Sequence, residues 1–315
     1  MSNEFYKIAS DLGGGKILDI KYFHLDKKLG SGGFGEVWKA THIKTGLVVA
    51  IKKLLISDEL DEDSLEAYDR EIDILGKCRY PFLLHLVGYT TSPPFCIVVP
   101  YIPHGSLYDY VHHGSKKMKL PPTNMTIIAM GIAYAMMRLH QMKIVHRDLK
   151  SPNVLLDNAY LPYVCDFGIS KVISDNNDDQ LTRDCGTTNW MAPEQMTSHK
   201  YDNKVDVYSY AMVLYEMITG YYPFEGCTLL EITMKLKNKK RPKLPDDGKN
   251  ESIKNLIVQC WDQNPKKRPP FKDIFKMFVN QKVMFDETNP KGIRSMISLI
   301  HSQEEYLESL LKGGS

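Results

Sequence analysis

Cysteine is scarce in this 315-residue chain. The six present, Cys78, Cys96, Cys165, Cys185, Cys227 and Cys260, never stand in a CxxC pair. That scatter argues against a disulfide or zinc framework and for reduced thiols in an intracellular protein. Long apolar runs are missing too: the most apolar stretch, Ile127 to Met137, is about half of what a bilayer span requires. The opening MSNEFYKIAS lacks the apolar core of a secretory leader. Neither sign of charge dominates, with Lys+Arg 40 against Asp+Glu 38, so the net +2 gives no broad field for nucleic acid or an anionic membrane. No internal repeat or low-complexity tract breaks the chain. What remains, 43% hydrophobic and 25% charged, is ordinary for a folded protein of two domains or one large bilobed one. The expectation is a cytoplasmic enzyme with no nucleic-acid partner and no membrane span.

The patterning changes along the chain. Up to about Val99 the residues favour strands: Val37, Trp38, Val48, Val49 and Ile51 are β-branched or aromatic, and Lys44-Thr45-Gly46 supplies a hairpin turn. One helix interrupts them. Acidic residues from Ser57-Asp58 to Asp63 favour its start, and Leu65, Tyr68, Ile72 and Leu75 recur at helical spacing. Beyond Tyr101 helices take over. Met125 to Gln141 and Val205 to Thr219 are apolar nearly all round, which predicts helices in the middle of a large domain, the second capped by Gly220. Residues 1–20, with Gly13-Gly14-Gly15, read as a flexible lead-in. Residues 281–315 read as an appended helix whose Ile293, Ile297, Ile300, Leu307 and Leu311 share a face. That face either docks on its own domain or is offered to a partner or a second copy.

Four segments carry chemistry. Leu29 to Val37 contains GxGxxG, which alone is weak because dinucleotide sites use the same spacing. Such a site needs a helix to begin within the glycines. Here Glu36-Val37-Trp38-Lys39-Ala40 continues as a strand, then a turn, then Leu47 to Lys52 as another. This is a flap in which Gly30, Gly32, Gly33 and Gly35, with Ser31 and Phe34 between them, let backbone N–H groups approach phosphate oxygens. Lys52 follows a Val-Ala-Ile run, so its ammonium emerges inside the domain and needs an anionic partner. Glu71, on the inward face with Tyr68 and Leu75, is the candidate. Next, Ile144 to Leu156 sets Asp148, Lys150 and Asn153 at fixed offsets between apolar flanks, and Asp166-Phe167-Gly168 follows.

These motifs, in this order, resemble those of eukaryotic protein kinases. Ala192-Pro193-Glu194, Asp206 and Arg268 extend the match, which covers roughly residues 22 to 280. The wording His-Arg-Asp-Leu-Lys-Ser-Pro-Asn, Trp-Met-Ala-Pro-Glu and the late Cys-Trp is similar to the tyrosine-kinase-like group, whose members mostly phosphorylate serine and threonine. The resemblance implies an α+β, bilobed kinase fold: a kinase domain over 21–280 with a small β-rich N-lobe (21–99) and a larger α-helical C-lobe (103–280). It implies ATP and Mg2+ as cofactors and protein substrates as partners. Asp148 then accepts the substrate hydroxyl's proton, Asn153 and Asp166 hold the metal, and Lys150 faces the transferring phosphoryl group. The adenine is expected among Val37, Ala50 and Leu155, with backbone bonds from Pro100-Tyr101-Ile102 and with Val99 guarding a back pocket. Pro100 stands where the family often has an acid, but it keeps the carbonyl that the site uses. Lys150 and Thr187 favour a Ser/Thr acceptor, Thr187 having a structural role beside Asp148, as Glu194, Asp206 and Arg268 have elsewhere.

Regulation by a phosphate on Thr182, pairing with Arg147, is the expected switch; the plainer reading is a solvated acidic loop around Asp175, Asp178 and Asp179. The basic run Lys235, Lys237, Lys239, Lys240, Arg241, Lys243 reads as a solvated loop rather than a localisation signal, and His112-His113 as surface. Three other functions compete with a Ser/Thr kinase: a pseudokinase acting as a binding module, a dual-specificity kinase and a nucleotide-linked oxidoreductase. Against the first, Lys52, Asp148 and Asp166 are all present.

Overall fold

A hairpin turn at Lys44-Thr45-Gly46 and the apolar run from Leu47 to Ile51 build the centre of the sheet that carries the glycine-rich flap. The computed structural model describes residues 16–32, 35–54, 62–112, 119–168, 170–172, 188–197 and 201–312. In chain order the first unit holds β1 (Lys16–Ile17), β2 (Phe23–Gly32), β3 (Gly35–His42), β4 (Val48–Lys53), α1 (Glu62–Lys77), β5 (Gly88–Tyr89) and β6 (Cys96–Pro100). The strands form one sheet in the order β1-β5-β6-β4-β3-β2. Only β1 pairs in parallel, with β5, so part of the expected lead-in is an edge strand.

Register sorts this sheet into two faces. Val37 pairs with Lys52, Ala50 with Val99 and Lys52 with Ile97, so these five side chains share one face. The opposite face buries Ala40, Val49, Ile51, Cys96 and Val98 in a core completed by Phe23, Leu47 and Val87. A one-residue slip would exchange the faces, so the core fixes the register. Helix α1 buries Tyr68, Ile74 and Leu75, and the Tyr68 hydroxyl donates to the carbonyls of Thr90 (2.8 Å) and Cys96 (2.9 Å). The residues expected to open α1, Ser57 to Asp61, lie outside the described residues.

The second unit takes in Tyr80–Phe82 and the chain from His104 onward. Its elements are α2 (Tyr108–Val111), α3 (Pro122–Gln141), β7 (Ile144–Val145), β8 (Val154–Leu156), β9 (Pro162–Val164), β10 (Lys171–Val172), α4 (Pro193–Thr197), α5 (Lys204–Thr219), α6 (Leu229–Lys237), α7 (Glu251–Cys260), α8 (Phe271–Val279) and α9 (Pro290–Lys312). Pro122 sits in the first turn of α3, where a missing N–H costs nothing. Gly220, with φ of 72°, ends α5 as a left-handed cap, as expected. Both helices are buried on all sides between their neighbours. A β-rich unit and a larger helical one bear out the α+β expectation.

Helix α9 settles against its own unit. Ile293, Met296, Ile300 and Leu307 are buried, Glu304 bonds to Tyr134 and Arg138 of α3, and Gly292 lets the helix approach Thr123. The face imagined for a partner or a second copy is therefore already covered, and self-association through this tail is not supported. Its register also differs from the expected one: Met296 and the buried Gln303 belong to the covered face, whereas Ile297 is only half-buried. The side chain of Leu311 lies outside the described residues.

Candidate active site

The glycine-rich segment is a β-hairpin, with Gly30 opposite Val37, Ser31 opposite Glu36 and Gly32 opposite Gly35. Gly33 and Phe34, between Gly32 and Gly35 in the sequence, lie outside the described residues. Strands on both sides of the glycines remove the dinucleotide reading, which needs a helix there. At Gly35, φ is 145° and a Cβ would stand 2.2 Å from the carbonyl oxygen of Lys53, so only glycine fits this crossing of β3 and β4.

Lys52 and Glu71 meet as expected. The ammonium lies 2.7 Å from both carboxylate oxygens, with the side chains 19% and 10% exposed. The pair thus forms where water screens it little. Val37, Ala50 and Val99 lie on the same sheet face as Lys52, an apolar surface fit for a flat ring. Pro100 closes β6, Ile102 is buried, and the Lys39 ammonium stands over the Tyr101 ring.

In the second unit the loop from His146 to Lys150 hangs from one buried carboxylate. Asp206, in the first turn of α5, accepts the His146 N–H (2.9 Å), the Arg147 N–H (2.8 Å) and a bond from His140 Nε2 (2.8 Å). Burial pushes this carboxyl up, but the bond and charge of His140, the nearby His146 and the amide donor outweigh it and hold its pKa below the ordinary value. Arg147 takes a left-handed φ of 68°, a strained conformation that these bonds support. Asp148 then accepts from Lys150 Nζ (2.6 Å) and from Asn153 Nδ2 (3.1 Å), while the same Asn153 amide donates to the Asp148 carbonyl (2.8 Å).

A second hairpin brings the proposed metal residues to one end. Pairing of Val154 with Val164 continues into a bond from the Cys165 N–H to the Asn153 carbonyl (3.0 Å), next to which Asp166 turns outward with φ of 66°. Phe167 turns inward, fully buried against the His146 ring at 5.4 Å. With its NH2 group committed to Asp148, Asn153 keeps its amide oxygen without a hydrogen bond to any described residue. One carboxylate and one amide oxygen suit Mg2+, which retains waters and binds substrate phosphates. No group of three His, Cys, Asp or Glu among the described residues forms a cage that could hold an ion by itself. Leu155 lies in β8, half-buried.

The sequence profile of the protein tyrosine and serine/threonine kinases matches residues 23–278. The chain belongs to that family. Within it, this kinase is of the tyrosine-kinase-like group. It is 37% identical over 256 residues to the serine/threonine-protein kinase VIK of Arabidopsis thaliana, covering 79% of this chain and 57% of the relative. It is 36% identical over 255 residues to a probable serine/threonine-protein kinase of Dictyostelium discoideum, covering 80% and 27%. A third relative, the dual specificity protein kinase shkB of D. discoideum, is 33% identical over 271 residues, covering 84% and 41%. The kinase spans less than two thirds of the length of each of these relatives.

Other site residues of the kinase have clear places. Arg268, 1% exposed, forks onto both Glu194 oxygens (2.5 and 2.9 Å) and donates to the carbonyls of Asp262 and Lys204. Thr182 and Thr187 lie outside the described residues. The sequence reading missed Glu216. Fully buried in α5, it accepts from His112 Nε2 (2.7 Å), the Ser151 hydroxyl (2.6 Å) and the Trp190 indole N–H (2.7 Å). Burial raises its pKa, against the pull of those three donors. His112 is therefore not surface: its side chain is 9% exposed, because the carboxylate inside needs a partner. A signal existed. Asp206 and Glu216 are the only charges between Val205 and Thr219, and a charge in a helix apolar all round needs donors.

Proposed function

We propose that this chain transfers the γ-phosphoryl group of ATP to serine and threonine hydroxyls of proteins. The observation that carries this reading is the Asp148 carboxylate, oriented by Lys150 and Asn153 on a loop suspended from buried Asp206. Phosphoryl transfer asks for positioning and charge neutralisation more than covalent chemistry. Asp148 accepts the proton of the acceptor hydroxyl and aims its oxygen. Lys150, already on Asp148, neutralises charge that develops on the transferred group. Lys52, fixed by Glu71, holds nucleotide phosphates, as do the N–H groups of the hairpin from Gly30 to Gly35. Val37, Ala50 and Leu155 contact the adenine, and Pro100 to Ile102 offer backbone bonds. Asn153 and Asp166 are the ligands for Mg2+, which when bound screens the phosphate charges. The catalytic domain runs over 21–280, with 1–20 leading in and 281–315 appended. The cytoplasm is the compartment that this reading favours; no helix among the described residues is long and apolar enough to cross a membrane.

Lys150 supports a Ser/Thr acceptor. Dual specificity is the second reading, favoured by the similarity to shkB. The test is radiolabelled phosphate transfer to a generic Ser/Thr substrate and to a tyrosine copolymer. Asp148→Asn is expected to lower kcat at least about a hundredfold, the usual contribution of a positioned base. Undiminished transfer by that variant would overturn the assignment, and transfer by neither protein would favour the binding-module alternative.

We further propose that phosphate on Thr182 pairs with Arg147. Thr182→Ala is expected to show the activity of phosphatase-treated wild type; equal activity of wild type before and after phosphatase would reject the switch.

A further inference from the structure

The basic run from Lys235 to Lys243 has no role in the catalytic reading, and the structure divides it. Arg241 belongs to the framework: its guanidinium donates to the Trp261 carbonyl (3.0 Å) and the Gln263 side chain (2.8 Å) and lies over the Tyr208 ring. Lys235 stands 2.9 Å from the Cys227 sulfur. Lys240 and Lys243 are exposed and make no side-chain hydrogen bond or ion pair with any described residue. These four cations line one cleft of 590 Å3, whose walls also include Tyr221 and Phe224 and whose single acid is Glu225. Such an excess of cations, two of them without anions, is a binding surface for negative charge.

Helix α6 supplies the second observation. Ile232 and Leu236 face the core, whereas Leu230 and Met234, one turn apart, are 69% and 55% exposed, and Leu229 beside them is 59% exposed. A solvent-facing helix normally places polar residues at such positions. Lys235 joins this helix to the basic cleft. A smaller recess of 210 Å3 borders it on the other flank at Met196, Thr233, Leu236 and Lys237. The one acid of α6, Glu231, is engaged with Thr228 in a capping box and offsets part of the charge of Lys235 alone, leaving Lys240 and Lys243 without an ion pair to any described residue.

The geometry points to a docking site for a protein substrate, namely an acidic segment whose Asp and Glu side chains enter the cleft at Lys235, Lys240 and Lys243 while an apolar residue covers Leu230 and Met234. This deepens the kinase reading and rests on it for the word substrate. Charge complementarity selects the acid, and the outward apolar pair selects a protein segment over a soluble anion. The catalytic unit itself carries the site. Tyr222 of the cleft wall packs on Trp190 (5.7 Å) and His112 (4.3 Å), both bonded to Glu216, which also holds Ser151 next to Lys150. A segment held here thus lies on the framework that carries the catalytic loop.

The test uses the full chain and a fluorescein-labelled peptide of repeating Leu-Asp-Glu, read by fluorescence anisotropy. Wild type is expected to bind it in a salt-sensitive manner, at least tenfold tighter than a Leu-Asn-Gln control. The double variant Lys240→Glu/Lys243→Glu loses that preference, and Leu230→Ser/Met234→Ser weakens binding severalfold at every salt concentration. All four residues are exposed, so circular dichroism is expected to be unchanged. Fused to a serine acceptor, the acidic segment lowers KM about tenfold in wild type and not in the lysine variant, with kcat the same. Equal acidic-peptide binding by wild type and the lysine variant overturns the inference. So does lysine-dependent binding of phosphatidylserine vesicles without peptide binding, which would make this a membrane-facing patch. Peptide bound by wild type but never phosphorylated in the fusion refutes the kinase reading and leaves an acidic-segment site standing.

Discussion

At the scale of single residues, burial decides what a charge does. Lys52 and Asp206 are both largely or fully buried, and each has partners in place that offset the desolvation penalty of its charge. Asp206 gives a pH prediction. Because folding lowers its pKa, its stabilising contribution is full above the unfolded value of about 4 and disappears as the pH falls through the folded one. Asp206→Asn is expected to lose about 3 kcal/mol at pH 7, the cost of breaking a buried pair. In urea titrations the gap between wild type and variant narrows below pH 4; a gap independent of pH would contradict the linkage. Glu216 works in the opposite direction. Its raised pKa means that the contribution of this group falls as the pH rises through the folded value.

At the scale of elements, helix α9 behaves as part of the core it covers. Ile300 is 2% exposed, so Ile300→Ala removes buried methylenes and leaves a cavity, at a cost of about 2–5 kcal/mol. Ser298, on the solvent side of the same helix, is expected to tolerate alanine within about 0.5 kcal/mol. Thermal denaturation of both variants separates a docked helix from a loosely held one. Equal melting temperatures would mean that α9 adds little to the unit. The hairpin of β2 and β3 shows the same coupling of local and non-local demands. Gly35 is required by the approach of Lys53 from the next strand, so packing demands this glycine independently of the phosphate contact proposed for it.

At the scale of the whole molecule, each unit carries its own set of the residues proposed to hold nucleotide: Lys52, Glu71 and the glycine hairpin in one, Asp148, Asn153 and Asp166 in the other. A ligand that binds only the folded chain stabilises it by mass action, about 2.7 kcal/mol at a concentration one hundred times its Kd. Mg-ATP is therefore expected to raise the melting temperature by several degrees. Lys52→Met lowers the nucleotide-dependent rise, and Asp166→Asn lowers the part that depends on magnesium. An unchanged melting temperature with Mg-ATP would count against nucleotide binding by wild type.

The sequence by itself marked the candidate chemistry-bearing residues, because the glycine-rich segment and the loop around Asp148 each keep their residues at short fixed offsets along the chain. It also determined the two patterns of secondary structure, since β-branched alternation and all-round apolar helices follow from hydrophobic burial. The Lys52–Glu71 pair was legible because a lysine after an apolar run needs an anion. Tertiary structure alone decided which buried charges found which donors. His112 and Ser151 meet Glu216 across separations of 104 and 65 residues, and no periodicity in the chain encodes that meeting. It also decided that the tail's apolar face turns inward and that the basic run splits between framework and open cleft. A helix face and a lysine carry the same sequence signal whether they meet protein or water, and only the packing of the remaining chain tells the two apart.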